Sequence, residues 1–257
     1  MRGVEPYAEA LETPPGRASA ALEGENSVPE VPFIARLRAF ELALQARMAE
    51  FNCAVHLCLG QEAVPAALHE HLRPTDWLFS THRSHGHYLA KGGDPQRLLD
   101  EIEGKETGIN GGYSGSQSFC DLALNFHSTA VVGGLIGVAT GVALGLKLKR
   151  STATVICCIG DAATEQGVFW ESLNFAALHE LPLLFICENN GLSVHAPLKL
   201  RQATSLLCRV TAFGLPCYGG VAALREMMRD GGQLPAFVEI FCERECNHVS
   251  AMEDLRE

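Results

Sequence analysis

Two short strings in the middle of the chain carry oxygen ligands. Gly160-Asp161 follows the apolar, β-branched run 152–159, and Asn189-Asn190-Gly191 follows a second apolar run, 183–188. In an open parallel sheet, ligands bind beyond the carboxyl ends of the strands. A carboxylate and an amide oxygen at neighbouring strand ends suit a hard cation such as Mg2+, which prefers oxygen and usually shares its shell with phosphates. The alternative is purely local: Asp161 caps a helix and Asn190 shapes a turn. Spacing alone leaves both open. A second group, His82, Arg83, His85 and His87, crowds imidazoles around a guanidinium, whose charge opposes a bound cation.

These groups need a scaffold, and the apolar pattern supplies one. Residues 168–179 have helical spacing at Phe169, Leu173, Ala176 and Ala177, and Leu181-Pro182 ends the run. Strand, helix, strand in that order makes a right-handed crossover between parallel strands. A further helix at 221–229 and strand at 236–242 extend the pattern. The expected fold class is α/β, an open parallel sheet with helices on both faces.

Upstream, residues 32–51 read as a helix whose apolar positions are Ile34, Leu37, Leu42 and Leu44. The Gly-rich stretch 108–118 reads, in its plainest form, as a flexible loop. Residues 130–146 are almost all apolar or glycine, but too few for the about 20 residues of a membrane span. Gly133, Gly137, Gly141 and Gly145 recur every four residues there, a stripe on one side of a helix. Each glycine costs about 1 kcal/mol relative to alanine, so the stripe implies close approach of another backbone. A subunit interface is the preferred reading of that contact.

Composition narrows the function classes. Of 257 residues, 47% are apolar and 19% charged, as in ordinary globular proteins. The formal net charge of −10, with no long basic run, speaks against nucleic acid and anionic membranes. Ten cysteines without a CxxC pair fit reduced thiols rather than a disulfide framework or zinc ribbon. Residues 1–30, poor in large apolar groups, are expected to be a flexible N-terminal segment, with 31–257 forming one binding domain. No secretory pattern is visible, and the expected location is cytoplasmic.

The segment 160–190, GDAATEQGVFWESLNFAALHELPLLFICENN, closely resembles a known motif. It is the thiamine diphosphate motif of the α subunit of 2-oxo-acid dehydrogenases, in their decarboxylating component, which begins GDG and ends NN. HLCLGQEA from His56, THRSHGH from Thr81, GKETG from Gly104 and STAVVGG from Ser128 agree in order and spacing. The resemblance runs from about residue 33 to 250 and implies the thiamine-diphosphate-binding fold, its diphosphate-binding domain. By position it implies that Asp161, Asn190 and the carbonyl of Leu192 hold Mg2+. Gly160, Ala162 and Ala163 would meet the cofactor diphosphate at a helix N-terminus, where exposed N–H groups favour anions. Arg83 would contact phosphate, with His82 standing where the family usually has Tyr. Ala130 and Val132 would border the aminopyrimidine, and His56 and His248 would face the reacting carbon.

The implied partners are a β subunit completing an α2β2 active site, a lipoyl-bearing acyltransferase, and a small 2-oxo acid as substrate. Departures from the family pattern affect this reading. Ala162 replaces the second glycine of GDG, a small change if its φ is negative. The family's GGSMH appears as Ser114-Gly115-Ser116-Gln117-Ser118, without its histidine. The altered loops leave two other readings: a carboligase passing an acyl carbanion to an aldehyde or ketone, and a non-catalytic subunit that only stabilises its partner.

Overall fold

The computed structural model describes residues 32–249. The segment 1–30, expected to be flexible, lies outside the described residues. The centre of the chain folds as its pattern predicts. Strand β4 (Val155–Gly160), helix α6 (Gly167–Leu178) and strand β5 (Leu183–Asn189) form the crossover, and β4 and β5 pair in parallel along their length. Strand β9 (Ala236–Phe241) lies parallel to β5 on its other side, and β8 (Cys217–Gly219) pairs outside β9. Helix α7 (Leu206–Thr211) precedes β8, and α8 (Val221–Asp230) joins β8 to β9.

Like β8, three further strands escaped the sequence pattern because they are too short to carry one. They are β1 (Trp77–Phe79), β2 (Cys120–Asp121) and β3 (Phe126–His127). They complete a seven-stranded sheet in the order β2-β3-β1-β4-β5-β9-β8, antiparallel only between β2 and β3. A separate hairpin, β6 (Leu192–Ser193) with β7 (Ala196–Pro197), follows β5.

Alternation along the strands explains the helices on both faces. Ile156, Cys158, Leu184, Ile186 and Val238 enter one core, built with α1 (Phe33–Ala46), α2 (Ala63–His71), α3 (His85–Ala90), α4 (Pro95–Ile102) and α8. Val155, Cys157, Ile159, Phe185 and Phe237 enter the other, against α6, α7 and α5 (Ile136–Leu148). Both faces of β4 and β5 are covered, which is why those segments read as unbroken apolar runs. Among the described residues no helix is long and apolar enough to cross a membrane.

Three expectations need correction. In α1, Ile34 and Leu42 are 45% and 47% exposed, while Leu37, Phe40, Glu41 and Leu44 are buried. Glu41 takes an inward position because its carboxylate has buried partners, the Cys58 amide and His85. The glycine stripe loses its first member, since Gly133 lies before α5 in a turn with φ +77°. A Cβ added at Gly141 or Gly145 would meet nothing within 4 Å, so no described part of this chain packs against them.

The Gly-rich stretch, finally, is organised around one acid. Glu101, fully buried on α4, accepts hydrogen bonds from the amides of Asn110, Gly112 and Ser114 at 2.6, 3.0 and 2.6 Å. Gly108 has to lack a side chain there, because a Cβ would lie 2.7 Å from the Glu101 Cα.

Candidate active site

The carboxyl ends of β1, β4 and β5 open on one cleft of about 210 Å³. It is lined by His56, Ser80, His82, Arg83, Ala130, Val132, Gly160, Asp161, Ala162, Ala163, Asn190, Leu192 and His248, which includes every site residue expected from sequence. A Cβ added at Gly160 would meet nothing within 4 Å. Asp161 opens a short 3-10 helix, Asp161–Glu165, that follows β4 directly, and is 1% exposed. Ala162 sits within that helix and is not among the residues with positive φ, so its methyl imposes no left-handed strain.

Of the two local alternatives, only one is present. Asn190 does shape a turn: its Oδ1 accepts from the Leu192 amide at 3.1 Å, while its Nδ2 donates to Gln61 Oε1 at 3.0 Å. Asp161 does not cap its helix; its carboxylate meets the Arg201 guanidinium. Burial pushes the Asp161 carboxyl above the usual range, and Arg201 pulls the other way.

Opposite these oxygens, three imidazoles converge. His56, His82 and His248 place ring nitrogens within 4.8 Å of one another. The centroid of the His56 ring lies 4.8 Å from that of His82 and 5.1 Å from that of His248. Arg83 Nη2 and Arg244 Nη1 each stand 3.3 Å from His248 Nδ1. Those charges make the cluster inhospitable to a metal ion. Arg83 also donates to the carbonyls of Leu57 and His248, which ties the first histidine's segment to the last.

The other two histidines of the 82–87 group belong elsewhere. His85 is buried between Glu41 Oε1 and Ser116 Oγ, both at 2.8 Å, and orients the loop behind His56. His87 links Ser80 Oγ at 2.7 Å to the buried Glu188, whose carboxylate lies 3.3 Å away. Burial pushes the Glu188 carboxyl up and the His87 imidazole down, disfavouring the charged form of each. Sequence reasoning missed Glu188, Ser80, Gln61, Arg201 and Arg244. For Glu188 the signal was its place beside Asn189 at the end of a buried strand, and Gln61 stands within HLCLGQEA; Ser80, Arg201 and Arg244 carried none.

Burial, and then the Arg83 charge, holds His56 down at about 3 and His82 at about 2. Both titrate near 6.5 in an unfolded chain. The folded state therefore binds fewer protons, and stability present above pH 6.5 drains away as the pH falls toward those lower values. His82→Tyr removes one such group, so its stability is expected to fall less steeply, by up to about 1.4 kcal/mol per pH unit. Urea unfolding of wild type and variant between pH 4 and 7 measures this, and parallel slopes would refute it.

The sequence model of the family described as "Dehydrogenase E1 component" matches residues 35–217. The chain belongs to the dehydrogenase E1 component family. The α subunit of an acetoin:2,6-dichlorophenolindophenol oxidoreductase from Bacillus subtilis (strain 168) is 36% identical over 207 residues, covering 76% of this chain and 62% of that protein. The pyruvate dehydrogenase E1 component subunit alpha of Zymomonas mobilis subsp. mobilis is 34% identical over 164 residues, 63% of this chain and 46% of that one. The mitochondrial, somatic-form subunit of Homo sapiens is 37% identical over 136 residues, 52% of this chain and 34% of its own length. The chain thus spans between 34% and 62% of the length of these dehydrogenase E1 relatives.

Proposed function

We propose that the chain is the thiamine-diphosphate- and Mg2+-binding α subunit of a heteromeric 2-oxo-acid dehydrogenase, in its decarboxylating component. The observation that carries this reading is the cleft itself. Buried Asp161 and half-buried Asn190 stand at the ends of adjacent parallel strands, in a chain of the dehydrogenase E1 family. The donor set fits a hard cation: a carboxylate, an amide oxygen and the Leu192 carbonyl are all oxygen. The space over Gly160 fits close approach of an anion to backbone. Relatives named as dehydrogenase or oxidoreductase subunits favour this reading over the carboligase.

In this reading Asp161, Asn190 and Leu192 hold Mg2+. Gly160, Ala162, Ala163 and Arg83 border the diphosphate, with His82 beside them, and Ala130 and Val132 border the aminopyrimidine. Bound thiamine diphosphate would supply the electron sink for decarboxylation. The protein's part is to orient, exclude water and manage protons. Arg83 and Arg244 can only donate, so the nitrogen facing them, His248 Nδ1, accepts and the neutral ring carries its proton on Nε2. His56, whose protonated form burial disfavours, lines the cleft as a neutral imidazole able to orient a substrate by hydrogen bonding.

The cleft mouth calls for a partner. Val131, Val132 and Val138 are 66%, 44% and 48% exposed, next to the open glycines of α5. A β subunit seated there would cover them and complete an α2β2 enzyme, from which a lipoyl-bearing acyltransferase takes the acyl group. Ten free cysteines fit a reducing cytoplasm. The test is carbon dioxide release from a panel of 2-oxo acids. The α chain alone is expected to be inert, and mixing with its β partner is expected to restore turnover. Substantial turnover by highly purified α chain would overturn the shared site.

A further inference from the structure

Asp161 is already answered by a positive charge from its own chain. Arg201 places Nη2 2.5 Å from Asp161 Oδ2 and Nη1 on Glu165, with a side chain only 10% exposed. Its Nε donates to the Ala196 carbonyl at 3.1 Å, which fixes the guanidinium to the β6–β7 hairpin. The next residue repeats the contact: Gln202 Nε2 donates to the Asp161 carbonyl at 3.2 Å and to Thr164 Oγ1 at 3.1 Å. Two adjacent side chains thereby latch the strap 191–202, which begins beside Asn190 and carries Leu192, onto the Asp161–Glu165 turn.

A divalent ion such as Mg2+ sits about 2.0–2.1 Å from its oxygen ligands. An ion and a guanidinium sharing Asp161 would bring like charges within a few ångström, where partial burial makes their repulsion far larger than in water. We propose that Arg201 and the divalent ion exclude one another at Asp161, so that ion binding releases the latch and frees the distal part of the strap, residues 196–202, while Leu192 stays with the ion. This rests on the reading of Asp161 as an ion ligand. The exclusion is reciprocal: losing the arginine tightens the ion, and the ion loosens the strap.

Mn2+ alone, followed by the paramagnetic signal of the free ion, is the probe, and the protein is the full chain assembled with its β partner. Arg201→Met is expected to bind Mn2+ at least about fivefold more tightly than wild type, the low end of ordinary coupling between sites. In wild type, Mn2+ is expected to speed amide hydrogen exchange at residues 198–202. Unchanged or weaker binding by Arg201→Met, or slower exchange on adding Mn2+, overturns the exclusion. Asp161→Asn separates the two readings. Wild-type affinity in that variant refutes Asp161 as a ligand and the inference with it; lost affinity there beside an unchanged Arg201→Met refutes the exclusion alone. Should Arg201→Met fail to fold, Arg201→Lys, which keeps the charge on a single-point head, is expected to fall between wild type and the predicted gain. Absence of Mn2+ binding in wild type and variants alike also overturns the proposal.

Discussion

Asp161→Ala is expected to weaken Mg2+-dependent binding of thiamine diphosphate by at least about 10–100-fold, since losing mere support behind a metal ligand already has that effect. The substitution removes a 1%-exposed carboxylate at the end of β4, one of only two side-chain oxygens the cleft offers beside Leu192 in the proposed set. The fold should survive it. The Asp161 carboxyl is raised by burial, so its loss removes a desolvated group, and Arg201 keeps Glu165 as a partner. Binding and stability are therefore separable. Titrating the cofactor into the assembled complex at fixed Mg2+ reads the first, and a thermal melt reads the second. Equal affinities in wild type and variant would refute the assignment of Asp161.

Glu101→Ala is expected to do the reverse, damaging the fold and through it the site. Three backbone amides converge on this one fully buried carboxylate. Hydrogen bonds to a charged group contribute about 1.5–3 kcal/mol each. Even half of that sum is comparable with the lower end of the about 5–15 kcal/mol by which domains are stable. The consequence reaches the cleft because the same loop carries Ser116, which holds the His85 ring and lies 3.4 Å from the His56 amide. A chain of this size loses about 2–4 °C of melting temperature per kcal/mol, so a drop well beyond 5 °C is expected. Glu101→Gln, which keeps one acceptor oxygen, should fall between. A melting temperature within about 2 °C of wild type for Glu101→Ala would mean that the loop holds itself.

Why one acid was legible in the sequence and the other was not follows from where their partners lie. Asp161 stands at the end of an apolar run whose length and β-branching identify a buried strand from local pattern alone, and strand ends are where ligands sit. Glu101 looks like any charged residue on a helix. Its role depends on a loop that returns after the helix has ended, and its burial is decided by that return. The α1 helix shows the same limit: its start followed from spacing, but it ends at Ala46 and not near residue 51, and its inward face includes Glu41 because His85 and Cys58 are there to meet it.

The sequence by itself determined the β4–α6–β5 crossover, the α/β class and the two ligand-bearing strand ends, since strand and helix periodicity are properties of neighbours along the chain. The motif strings by themselves also carry the family resemblance. Only the tertiary structure decided which distant groups meet. It assembled β1, β2 and β3, whose two or three residues become strands only through their ladder partners. It gathered His56, His82 and His248 from the two ends of the described chain, with Arg83 and Arg244 on the last of them. It also set Arg201 on Asp161. Such contacts are made by side chains far apart in sequence, and their geometry is fixed by how two packed faces of a sheet bring loops together at one end.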